Sequence, residues 1–358
     1  MKGSLTLRRI DTPPSDLGMI DCVRGLLICP KGILAADESL PTIAKRFESV
    51  GIPNSEETRR RYREMLLATE GLDEFISGAI LFDETARQAS TDGTPFIHLL
   101  EKVGIIPGIK VDAGLLPIRS SDTENVTSGF DGLPGRLSEY VQMGLRFAKW
   151  RSVFRIGPGL PSDFAIDTNA IGLAQYASSC QGAGLVPIVE SEVLLDGDHS
   201  LADSIRVNIH VLTEVVRRLE QAHVRLDLTI IKTSMATPGS TNKGENQVSI
   251  AAATARVLSK ALPPAIGGVV FLSGGMSELE ATRNLNDFSQ IGGYSWPVSF
   301  SFGRALQNSA LKRWSNDPSR FEEARTELLH RARMNSLART GDWTPEKDSA
   351  GGEHSRKF

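Results

Sequence analysis

Leu185-Val186-Pro187-Ile188-Val189-Glu190 opens the stretch that decides the fold. A helical pattern over Leu201–His223 follows, and then a second apolar run, Leu228-Thr229-Ile230-Ile231-Lys232. In the helical part Ile205, Ile209, Leu212 and Val216 recur at the spacing of one helix face. The flanking runs are almost wholly apolar, which suits strands covered on both faces. Strand, long helix and strand in succession imply parallel strands joined by a crossover helix.

Working outward, the same unit recurs. Further strand-like runs are Gly32–Asp37, Gly78–Phe82, Ile106–Val111, Phe147–Phe154, Gly268–Ser273 and Val298–Ser301, which with the first two make eight. Helical patterns lie between them, among them Ser55–Ala68, with acids in its first turn, and Arg320–Leu337. An open doubly wound sheet would carry a Gly-x-Gly-x-x-Gly run after its first strand, and Gly32–Ala44 has none. Eight units therefore predict a closed barrel, preceded by an extra helix at Asp16–Leu27. No Gly/Pro/Ser-rich linker divides the chain. The expected organisation is one barrel domain over 1–343 and a polar, flexible C-terminal tail over 344–358.

Composition narrows the function. The 358 residues are 40% hydrophobic and 23% charged, with a formal charge of -3 and no long block of one sign. Nothing there favours nucleic acid or an anionic membrane as partner. No segment approaches the roughly 18 apolar residues of a membrane span, and the start, Met1-Lys2-Gly3-Ser4, lacks a signal-peptide core. Cys22, Cys29 and Cys180 are sparse and odd in number, which fits a reducing compartment. A cytoplasmic location is expected. The six histidines show no close-paired ligand spacing, and Asp196-Gly197-Asp198-His199 reads as a polar turn, so no metal is expected.

Several apolar runs end in ionisable residues: Asp37, Lys110, Lys149 and Arg151, Glu190, and Lys232. C-terminal strand ends ring the mouth of a barrel. Side chains two apart share a face, which pairs Lys149 with Arg151 and Glu190 with Glu192. Buried charges are costly unless matched, and here acids and bases are matched. A lysine amine crowded by cations or apolar walls loses its proton more readily and becomes a nucleophile. Carboxylates beside it can relay protons. The pattern does not choose among Lys110, Lys149 and Lys232. Leu272-Ser273-Gly274-Gly275 and Ser301-Phe302-Gly303-Arg304 follow the seventh and eighth strands, where barrels commonly hold phosphate. Ser39, Thr42 and Arg46, at the helix start after the first strand, are a second anion candidate.

Gly32-Ile33-Leu34-Ala35-Ala36-Asp37-Glu38-Ser39, Phe147-Ala148-Lys149-Trp150-Arg151, Asp196-Gly197-Asp198-His199, Phe271-Leu272-Ser273-Gly274-Gly275 and Gly303-Arg304-Ala305-Leu306-Gln307 together resemble the class I fructose-bisphosphate aldolases. The similarity runs in order from about Gly32 to about Asn335. It implies a (β/α)8 TIM barrel that cleaves fructose bisphosphate without metal or other cofactor, its partners being sugar phosphates, and a homotetrameric assembly. By that resemblance Lys232 forms the Schiff base, Glu190 is the acid/base with Glu192 in support, and Asp37 accepts the proton released on cleavage. Lys149 holds charge beside Lys232, and Lys110 and Arg151 bind substrate. Ser273, Gly274, Ser301, Gly303 and Arg304 form the first phosphate region, and Ser39, Thr42 and Arg46 the second. Three departures stand out. Phe302 replaces a tyrosine common in relatives, Pro41 stands where glycine is usual, and the chain ends in Phe358 rather than tyrosine. A paralogue acting on another ketose phosphate, or a barrel kept as a scaffold, are the competing readings.

Overall fold

The computed structural model describes residues 14–119, 121, 123–242, 249–315 and 317–354. In chain order its strands are β1 (Gly32–Ala36), β2 (Ile76–Leu81), β3 (Ile106–Lys110), β4 (Leu115–Pro117) and β5 (Asn125–Thr127). Then come β6 (Phe147–Phe154), β7 (Val186–Val193), β8 (Ile230–Thr233), β9 (Gly268–Phe271) and β10 (Val298–Phe302). Eight of them close a parallel barrel in the order β1-β10-β9-β8-β7-β6-β3-β2. All eight expected strands are there, with helices in the crossovers.

Two apolar layers hold the barrel together. The inner one is built from strand residues facing the axis, including Ile33, Ile80, Phe147, Ile188, Ile230 and Val270. It is sealed from below by Met19, Cys22, Val23 and Leu26 of the helix Pro14–Leu26, the extra N-terminal helix the sequence predicts. Gly108 makes room for that filling, since a Cβ there would lie 2.3 Å from the Phe147 ring. The outer layer lies between strands and helices and joins Phe47, Leu100, Tyr176, Leu212 and Leu285, among others. With the bottom plugged, the open end is the C-terminal one.

Three features differ from expectation. Strand β7 runs three residues past Glu190 and carries Glu192 within it. The hairpin β4–β5, absent from the sequence reading, is two antiparallel three-residue strands. Strands that short give no readable period. The segment expected to be a polar, mobile tail holds a helix, Pro345–His354. Its Asp348 carboxylate accepts from Arg331 Nη1 (2.7 and 2.9 Å) and Trp343 Nε1 (2.8 Å), and lies 2.9 Å from His330 Nε2. Proline at the first helical position with Glu346 and Asp348 in the first turn is a helix-start pattern that composition alone conceals. Phe358 lies outside the described residues.

Candidate active site at the C-terminal rim

One cavity of about 1080 Å³ opens at the C-terminal ends of the strands, and every site residue named from the sequence lines it. Asp37 directly follows β1, Lys110 ends β3, Lys149 and Arg151 lie in β6, Glu190 and Glu192 in β7, and Lys232 in β8. Sheet register brings them together. Lys110 pairs with Lys149 across β3–β6, Arg151 with Glu190 across β6–β7, and Glu190 with Lys232 across β7–β8.

The side chains form an alternating chain of charge. Lys149 Nζ is 2.7 Å from Asp37 Oδ2 and 3.1 Å from Glu190 Oε2, while Glu190 Oε1 is 3.2 Å from Lys232 Nζ. Burial pushes the Asp37 carboxyl up, but Lys149 and Lys232 beside it pull harder and hold it at about 2. Burial likewise works against the Glu190 carboxylate, and Lys149, Lys232 and Arg151 bring it below its ordinary value. For Lys149, burial disfavours the cation, yet Asp37 and Glu190 outweigh it and raise the amine above its ordinary value. Lys149 is thus a fixed cation.

These shifts set a pH window. Asp37, depressed on folding, contributes stability that is present above 3.8 and lost as pH falls through about 2. Lys149, raised on folding, contributes stability that is present below 10.5 and lost only as pH rises beyond it. The stability difference between wild type and Asp37→Asn should therefore be level from about pH 5 to 9 and shrink toward pH 2. Urea denaturation across that range measures it. A difference that is largest at pH 2 would contradict the pairing.

Around this chain lie the loops and helix starts expected from the sequence to hold anions. Arg151 Nε meets Glu192 Oε2 at 2.5 Å. The loop after β9 crosses Glu192 so closely that a Cβ on Gly274 would sit 2.5 Å from Glu192 Oε1 and displace that carboxylate. Ser273 is buried beside it. Ser301 is buried with an unpartnered hydroxyl, and Gly303 is the N-cap of the helix Arg304–Trp314. Leu306 N–H already bonds to Gly303 O at 3.0 Å, and the helix start ahead of it is electrostatically suited to an anion.

On the other side Ser39 stands at the N-cap position of the helix Leu40–Glu48 without a side-chain bond to its backbone, its hydroxyl 3.0 Å from that of Thr42. Pro41 in that first turn removes one backbone donor. Arg46 is occupied by protein. It pairs with Glu38 and donates to Gln307 Oε1 (2.8 Å), Tyr62 Oη (3.3 Å) and Asn308 Oδ1 (3.4 Å).

Sequence reasoning missed Asp112 and Glu38. Asp112 Oδ1 lies 2.5 Å from Lys110 Nζ, and its position two residues after Lys110, on the same side of the chain, was a usable signal. Glu38 takes Arg46 and, at 2.7 Å, Arg63. Among the described residues no group of three or more His, Cys, Asp or Glu is placed to hold a metal ion. The segment 196–199 is a polar turn tied to its neighbour by Gly239 N–H to His199 O and Thr241 N–H to Gly197 O, both 2.9 Å. Among the described residues no helix is long and apolar enough to cross a membrane.

A closed parallel barrel with amines and carboxylates buried together at its C-terminal rim has the form of a barrel enzyme's active site. The family model for fructose-bisphosphate aldolase class-I matches residues 19–358. A probable fructose-bisphosphate aldolase class 1 of Xylella fastidiosa is 46% identical over 327 residues, 91% of this chain and 98% of that one. The cytosolic fructose-bisphosphate aldolase 6 of Arabidopsis thaliana is 47% identical over 312 residues, 87% of each chain. Among solved structures, the Plasmodium falciparum fructose-bisphosphate aldolase in complex with TRAP and a small-molecule inhibitor superposes with a TM-score of 0.91. It is 44% identical and covers 93% of this chain and 97% of its own. The chain belongs to the class I fructose-bisphosphate aldolase family, and is a carbon–carbon lyase.

Proposed function

We propose that this chain reversibly cleaves fructose 1,6-bisphosphate to dihydroxyacetone phosphate and glyceraldehyde 3-phosphate through an imine on Lys232, in the cytoplasm and as a homotetramer. One observation carries the choice of lysine. Lys149 is clamped between Asp37 and Glu190 and kept protonated, and Lys110 is paired at 2.5 Å with Asp112. Lys232 has one carboxylate at 3.2 Å, and Lys149, itself a cation, shares that carboxylate. Of the three amines it is the least tightly ion-paired, which favours it as the nucleophile.

In this reading the Lys232 amine attacks the ketose C2. Glu190, 3.2 Å away, takes a proton from the Lys232 ammonium to free the attacking amine and returns it to the departing carbinolamine hydroxyl, so water leaves and the iminium remains. The C3–C4 bond then breaks, its electron pair passing to the iminium nitrogen, while Asp37 takes the C4 hydroxyl proton. Lys149 makes Asp37 a weak base, so that transfer is coupled to bond cleavage, which turns the hydroxyl into a carbonyl and acidifies it. Glu192 holds Arg151 in place. Lys110 and Arg151 bind substrate. Ser273, Gly274, Ser301, Gly303 and Arg304 hold one phosphate, and Ser39 and Thr42 reach toward the other.

A second reading, preference for another ketose phosphate, is favoured by Pro41 and by the engagement of Arg46 with protein partners. Borohydride added with fructose 1,6-bisphosphate should trap an adduct on the Lys232 peptide by mass spectrometry, and turnover should survive EDTA. An adduct on Lys110 or Lys149 would overturn the lysine assignment. A higher kcat/KM for fructose 1-phosphate or sedoheptulose bisphosphate would favour the second reading.

A further inference from the structure

We infer that Asp112 is a positioning residue for substrate binding, acting by holding the Lys110 ammonium in its working orientation. The inference rests on the reading of Lys110 as a substrate ligand. Asp112 is buried, and its carboxylate gathers three donors from separate places. Oδ1 accepts from Lys110 Nζ at 2.5 Å and from Gly114 N–H at 3.2 Å, and Oδ2 from Arg151 N–H at 3.3 Å. Lys110 Nζ also donates to the Asp112 backbone oxygen at 2.9 Å. An ammonium has three donors. Two are taken by Asp112, and the third is left for the cavity that Lys110 lines.

Charge supplies the reason for such a device. Register sets Lys110 opposite Lys149 on the neighbouring strand, two cations side by side. Lys149 is compensated by Asp37 and Glu190. Lys110 is compensated by Asp112. Without that carboxylate Lys110 would be pushed from Lys149 toward open solvent, and a flexible four-carbon stem would have to be ordered anew at each binding event.

The carboxylate is itself braced by the hairpin β4–β5. Ala113 N–H bonds to Ser128 O at 2.8 Å, and Thr127 Oγ1 donates to Arg151 O at 2.8 Å. Asn169 of the helix Asp163–Gly182 accepts from Thr127 N–H at 3.2 Å. Asp112 therefore joins the head of one substrate cation to the backbone beneath another.

The test is steady-state kinetics with fructose 1,6-bisphosphate on Asp112→Asn, Lys110→Met and the double variant. Asparagine removes the charge and keeps one carbonyl oxygen, which can accept from Gly114 or from Arg151 but not both, while the hairpin's own bonds at Ala113 and Thr127 are untouched. We expect KM to rise roughly ten-fold in Asp112→Asn, the scale of one charge-assisted hydrogen bond, with kcat changed less than about three-fold. The double variant should match Lys110→Met alone, because Asp112 acts through that lysine. Wild-type KM in Asp112→Asn beside an impaired Lys110→Met would overturn the inference and leave the proposed function standing. So would losses that multiply in the double variant, or a loss of kcat and thermal stability with KM unmoved. Wild-type KM in Lys110→Met would instead overturn the reading of Lys110, and the inference with it. Should Asp112→Asn not fold, Asp112→Glu keeps the charge and should hold KM within about three-fold of wild type. A KM as high as that of Lys110→Met would count against the inference.

Discussion

Replacing Lys232 with methionine should give a folded barrel whose aldol cleavage is lower by roughly ten-thousand-fold or more, the usual consequence of removing a covalent nucleophile. Substrate-dependent trapping by borohydride should vanish with it. The fold should survive because the exchange replaces a buried ammonium by an apolar side chain of similar reach. Glu190 keeps a cation in Lys149 at 3.1 Å, so no carboxylate is stranded. Thermal denaturation and single-turnover assays on one preparation separate the two effects. Residual activity within a hundred-fold of wild type would remove Lys232 from the chemistry.

Glu190→Gln has the second largest expected effect, and it differs in kind. Turnover should fall by roughly a hundred- to ten-thousand-fold, the range for loss of a positioned acid/base. Stability should fall as well, by about 3 kcal/mol, because breaking a buried ion pair leaves an uncompensated charge. Glu190 is the only carboxylate within 4.0 Å of Lys232 among the described residues, so that amine loses its partner. The Asp37–Lys149 contact at 2.7 Å remains. Of the two neighbours on the sheet, the carboxylate is therefore the costlier one to lose structurally. Equilibrium urea unfolding beside the kinetics checks this, and a variant as stable as Lys232→Met would contradict it.

Much of the fold was legible because a barrel strand is buried on both faces. Runs such as Ile230-Ile231 and Val186-Pro187-Ile188-Val189 are apolar without alternation, and eight such runs in a helix-separated series leave few architectures. From sequence alone β7 ends at Glu190, because polar residues at a strand end look like a loop. Glu190-Ser191-Glu192-Val193 is strand all the same, held by pairing with Arg151-Ser152-Val153-Phe154. The hairpin was too short to register, and the helix Pro345–His354 is tied down by Arg331 and Trp343 at Asp348, which its polar composition does not announce.

The site's membership was legible from charges at strand ends, but its wiring was not. Which lysine meets which carboxylate depends on the register of strands far apart in sequence. Asp37 and Lys149 come from β1's end and β6, strands that are not neighbours in the barrel. Without those pairings Lys110, Lys149 and Lys232 are equivalent on pattern. Asp112 was the avoidable omission, since Lys110-Val111-Asp112 has the same two-residue spacing as the pairs at Lys149 and Glu190.

The register match of Glu190 with Lys232 has a bearing on how such an enzyme can diversify. Those two residues are partners on one rung of a ladder, whereas the proposed anion seats at Ser273-Gly274, Gly303-Arg304 and Ser39-Thr42 belong to turns and helix starts. Reagent and grip are separable parts. Insertions and substitutions in the turns can redraw the length and polarity of the accepted sugar while the reacting pair keeps its spacing. A slip of one residue between β7 and β8 would carry Lys232 to the opposite face and silence every version at once. Inheritance is thus free to experiment with the rim and held to one solution in the wall.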